Sequence, residues 1–119
     1  MSYAVKDTKE FSHPVADVAA AAGETITQLG GKRSKKDAGI AGEVHADFNK
    51  EIGGRAFTNR VHLIARVTGD ATRGSVVLEA YPVDPLGNQL QFGVVGEPAK
   101  LVTGAIWQRL EARLAPAAK

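Results

Sequence analysis

Between Ile40 and Leu78 the residues alternate so regularly that they settle which side chains share a face. Folding the Gly53-Gly54 dipeptide into a tight turn pairs residues whose numbers keep a constant sum. Ile40 then faces Val67, Gly42 faces Ala65, Val44 faces Leu63 and Ala46 faces Val61, all apolar or small. The other face pairs His45 with His62 and Asp47 with Arg60. A slip of one residue would mix the two sets, so the pattern predicts an antiparallel sheet with one buried face. A second hairpin, closed around Gly69 to Gly74, pairs Thr68 with Ser75 and adds Val76, Leu78 and Ala80 to the apolar side.

The flanking segments supply the helices. Tyr3 to Ser12 reads as a short, mostly charged first strand with Val5 and Phe11 as its apolar positions. After His13, read as the helix N-cap, Pro14 starts a helix, because proline at the first position loses no needed donor. Val15, Val18, Ala19, Ala22, Ile26 and Leu29 form its apolar stripe, and Gly30-Gly31 ends it. Residues 30–38, with four positive charges in Lys32-Arg33-Ser34-Lys35-Lys36-Asp37, are expected to form a mobile basic loop. Asp84-Pro85-Leu86-Gly87 suits a type I turn. Gln89 to Val95 alternates like a fifth strand, and Gly96-Glu97-Pro98 opens a second helix with Val102, Ile106, Leu110 and Leu114 inward. Trp107 stands at the edge of that stripe, and Pro116 closes the helix.

The order is β-α-β-β-β-β-α: an α+β domain with a curved antiparallel sheet and both helices on one face. The expected core is Val18, Ala22, Ile26, Val44, Ala46, Val61, Leu63, Val67, Leu78, Phe92, Ile106 and Leu110. A chain of 119 residues suits a single domain over 1–119, with frayed ends at 1–4 and 116–119.

In this element order the segment from Lys9 to Leu114 resembles a short form of the helix-grip family, the Bet v 1 or START-like ligand-binding domains. The strand, Ser12-His13-Pro14 and helix succession is the closest local match. The same order also describes one half of the TATA-binding-protein fold. The helix-grip resemblance implies a non-enzymatic binding module holding a small apolar ligand between the sheet and the C-terminal helix. Phe48, Phe57, Asn59, Leu90, Phe92 and Trp107 would line that site.

Composition removes other classes. There is no cysteine, so disulfides, thiolate metal sites and cysteine nucleophiles are excluded. Fifteen Lys and Arg against thirteen Asp and Glu leave a net charge of +2, which is not that of a dedicated nucleic-acid binder. The charged first eleven residues do not read as a signal peptide, and the longest apolar run is too short for a membrane span. A cytoplasmic protein without cofactor or specific nucleic-acid partner is expected. No nucleophile-elbow, dinucleotide or phosphate-loop motif occurs, so no enzyme is expected.

The outward face offers a second function. His45 and His62, with Glu43, Asp47 and Tyr81 around them, are the best acid-base or metal candidates, but zinc usually takes three or four protein ligands. Ile64 and Val77 make the same face less polar than an open sheet face usually is. His45, His62, Ile64, Val77 and Tyr81 would then be a homodimer contact, loosened below about pH 6 as the histidines charge. The basic loop, with Arg60, Arg66 and Arg73, is expected to attract polyanions weakly at low salt.

Overall fold

A computed structural model describes residues 3–33, 42–90, 93–94 and 96–114. Each strand begins or ends where glycine or a polar turn lets the chain reverse. The elements are β1 (Val5–Phe11), α1 (Val15–Gln28), β2 (Lys32–Arg33), β3 (Glu43–Ile52), β4 (Arg55–Gly69), β5 (Gly74–Val83) and α2 (Pro98–Arg113). One antiparallel sheet runs β1-β5-β4-β3-β2, and both helices cover the same face. The order β-α-β-β-β-β-α is therefore the one the sequence predicts. No helix among the described residues is long and apolar enough to cross a membrane.

The core forms where the two helix stripes meet the apolar sheet face. Val18, Ala22 and Ile26 of α1 are buried with Ala46, Val61, Leu63, Val67 and Leu78 of the sheet and Ile106 and Leu110 of α2. Val44 is only partly buried, and Phe92 lies outside the described residues. Glycine lets α1 approach closely: a Cβ on Gly74 would sit 2.7 Å from Cγ2 of Val18. Gly30 ends α1 at φ +99°, with its N–H and that of Gly31 donating to the carbonyls of Thr27 and Ile26, a Schellman closure. Ion pairs Lys9–Glu111 and Arg113–Glu24 tie α2 to β1 and α1.

The Gly53-Gly54 turn forms, both residues having positive φ. Beside it Ile52 pairs with Arg55 and Glu51 with Ala56, the expected register. Farther along, that register is corrected by two residues: Val44 faces Ala65 instead of Leu63, and Ala46 faces Leu63 instead of Val61. The cause is an irregularity at Lys50, where Phe57, Thr58 and Asn59 of β4 stand opposite one residue of β3. Lys50 takes the left-handed conformation there, at φ 63°. Because the shift is even, every side chain keeps its face. The β4–β5 hairpin has the expected register, with Thr68 opposite Ser75 and His62 opposite Tyr81.

Three further expectations are corrected. Lys32 and Arg33 of the predicted loop form β2, pairing with Asp47 and Ala46, while residues 34–41 lie outside the described residues. Gln89 makes only an isolated bridge to Val83, so the described part of 89–95 adds no fifth strand. Pro14 rather than His13 occupies the N-cap of α1, without a side-chain cap bond. In its place Val15 donates its N–H to the backbone carbonyl of Asp70 at 2.8 Å.

Candidate functional site

The site is built by alternation. Residues Glu43, His45, Asp47 and Asn49 of β3 and Arg60, His62, Ile64 and Arg66 of β4 share the outward face, with Val77, Glu79, Tyr81 and Val83 of β5 beside them. The corrected register places His45 opposite Ile64 and Asp47 opposite His62, so the two histidines are diagonal neighbours. Their rings still meet, with centroids 5.4 Å apart.

A continuous polar chain results. Glu43 Oε1 lies 2.5 Å from His45 Nε2, His45 Nδ1 lies 3.2 Å from His62 Nε2, and His62 Nδ1 lies 2.9 Å from Asp47 Oδ1. Tyr81 stacks on His62 at 5.4 Å, and the residue His62 is 1% exposed. Arg66 spans the far end, 3.4 Å from Glu43 and 3.2 Å from Glu79. The hydrogen bond from His45 holds the Glu43 carboxyl below its ordinary range against the upward push of burial, with Arg66 assisting. Burial, with the charges of Glu79 and Asp47, pushes the Tyr81 phenol up, so Tyr81 is neutral at ordinary pH. Among the described residues no group of three or more His, Cys, Asp or Glu is arranged to hold a metal ion.

The Asp47 end of this chain opens into a groove of about 540 Å3. Its walls are Lys32 and Arg33 of β2, Asp47 and Asn49 of β3, Arg60 and His62 of β4, and the turn at Pro85, Leu86 and Gly87. That turn is closed by its own side chain: Asp84 Oδ1 accepts the N–H groups of Leu86 and Asn88, each at 2.9 Å. Leu86 is carried out into solvent, 87% exposed. Neither Lys32 nor Arg60 has an ion-pair partner among the described residues, and the Asp47 carboxylate is engaged by His62.

The described residues among those expected to line an apolar site are not assembled around one cavity. Phe48 is fully buried and Trp107 is 6% exposed, both as parts of the packed core, and Phe57 packs against that core from its edge. Asn59 and Leu90 instead line a separate surface groove of about 320 Å3 with Asn49, Thr58 and Asp84. Phe92 lies outside the described residues. The five expected contact residues do share the outer face, but His45 and His62 bond to each other and to carboxylates within one chain. Sequence reading missed β2 and Asn49 as groove walls. The run Lys32-Arg33 directly after the Gly30-Gly31 helix stop was the available signal, since a chain leaving a helix at a sheet edge can pair with it.

No family model matches this chain, and no curated protein matches it.

Proposed function

We propose that this is a non-enzymatic binding domain whose site is the outer groove beneath the 84–88 turn, and that it takes a small anion. The supporting observation is the composition of that groove: Lys32 and Arg60 on the outward face against a single carboxylate already bonded to His62. Arg60 offers a planar fork of donors and Asn49 an amide, groups suited to phosphate, sulfate or carboxylate oxygens. The space between sheet and α2 is a poorer place for a ligand, because Phe48, Ile106, Trp107 and Leu110 fill it.

Calorimetry with sulfate, phenyl phosphate and the neutral control benzyl alcohol tests this reading. Sulfate and phenyl phosphate should bind, benzyl alcohol should not, and Arg60→Ala should weaken the anions at least ten-fold, about 1.4 kcal/mol. Equal binding of the neutral control, or anion binding indifferent to Arg60→Ala, would remove the groove from consideration. Half-buried Ile64 and Val77 favour a second use of this face, the seating of another copy. Sedimentation at about pH 8 and pH 5.5 separates the two uses, since a monomer at both values leaves only the ligand.

A further inference from the structure

Counting protons along the carboxylate–imidazole chain leads beyond anion binding. An ionised carboxylate only accepts, and a neutral imidazole carries one N–H and one bare nitrogen. Glu43 and Asp47 each accept from the imidazole beside them, using His45 Nε2–H and His62 Nδ1–H. If both rings are neutral, those are their only protons. His45 Nδ1 and His62 Nε2 would then present two lone pairs to each other across 3.2 Å. Three contacts need three protons, and neutral imidazoles with ionised carboxylates supply two. Full double protonation fails as well, because two N–H groups would then collide at the centre.

We propose that Glu43, His45, His62 and Asp47 form a binding site for one proton, shared between the two rings, and that filling it prepares the groove for an anion. The second clause rests on the groove reading above. Without the shared proton the array carries two negative charges, one of them at Asp47 in the groove wall. With it the array carries one. The other charged groups facing the array are Arg60 and Arg66 from β4, Glu79 from β5 and Lys32 from β2, with Tyr81 neutral. Asp84 is turned into its own loop. The histidine pair is therefore the charge that changes. An anion in the groove should draw in the proton, and the proton should tighten the anion by the same factor, about ten-fold for an ordinary coupling between neighbouring sites.

Two measurements test the two clauses separately. In the ligand-free protein, nitrogen NMR of the histidine rings at about pH 6.5 should find three of the four ring nitrogens of His45 and His62 protonated. Finding two at every pH at which the protein is folded would overturn the proton site. Calorimetry with sulfate, which does not titrate near neutrality, is then run at about pH 8 in buffers of different ionisation enthalpy. Uptake should rise toward about half a proton per sulfate, the most that a ten-fold coupling allows, and His45→Gln should bind sulfate with uptake near zero. His45 is the variant of choice, since its ring is partly exposed while His62 is buried. Sulfate bound without proton uptake by the native protein would overturn the coupling. Three protonated nitrogens without sulfate binding would leave the proton site standing and sink the groove.

Discussion

Among the described residues, three carboxylates are held below their ordinary range, each by donors from its own surroundings. Glu43 is held by His45, Asp70 by Thr72 and the Arg73 N–H, and Asp84 by the N–H groups of Asn88, Leu86 and Gly87. A carboxyl that ionises more readily folded than unfolded stabilises the fold at pH values above its unfolded value, near 4. That contribution is lost as pH falls through the depressed folded values. Melting temperature should therefore stay level from about pH 7 to pH 5 as far as these groups decide, and drop below about pH 4. Asp70→Asn keeps an acceptor oxygen but no titration, so its acid-induced drop should be smaller than that of the native chain. Parallel curves for the two proteins would mean that the Asp70 turn contributes nothing to acid sensitivity. The residues of this chemistry were legible one by one, since Glu43, His45, Asp47, His62 and Tyr81 all read as outward-facing. Their connection was not. With His45 set opposite His62 and Asp47 opposite Arg60, the carboxylate–imidazole chain is invisible, as is an Arg60 without an ion-pair partner among the described residues.

At the scale of elements, the cause of that blindness is the segment at Lys50. Alternation reports a one-residue slip at once, because every side chain changes face, but a two-residue slip leaves the pattern intact. Nothing in the sequence between Phe48 and Asn59 distinguishes a regular ladder from one in which three residues oppose one. The faces were therefore readable and the pairings beyond the irregularity were not. The same limit applied to Lys32 and Arg33: a two-residue edge strand is held by its neighbour's backbone, which no side-chain pattern records. The left-handed backbone of Lys50 does carry a penalty for a residue with a Cβ, about 1–2 kcal/mol. Lys50→Gly removes it at a smaller entropic cost, so urea unfolding should show a gain of up to about 1 kcal/mol. A clear loss would indicate that the Lys50 side chain, not backbone geometry, holds the irregularity in place.

For the molecule as a whole, β4 is the axis. Its fifteen residues belong to both long hairpins, and the helices close over it from one side while the groove and the proton array occupy the other. The outcome of core packing and the outcome of site geometry therefore depend on one strand. The charged first strand, which looked so poorly suited to a sheet, acquires a purpose at this scale. β5 presents Ser75-Val76-Val77-Leu78, four uncharged residues in a row, and β1 lies along its edge with Lys6, Asp7, Lys9 and Glu10 paired against that stretch or next to it. Charge on an edge strand discourages further strands from adding, whereas an uncovered β-branched edge invites them. Loss of β1 should thus change the colloidal fate of the protein. A chain without residues 1–11 should turn thioflavin-positive and sediment under conditions that keep the full chain in solution, and a clear, monomeric solution would refute this. The strand whose charges look least suited to a sheet would then be the one that keeps the protein from becoming a fibre.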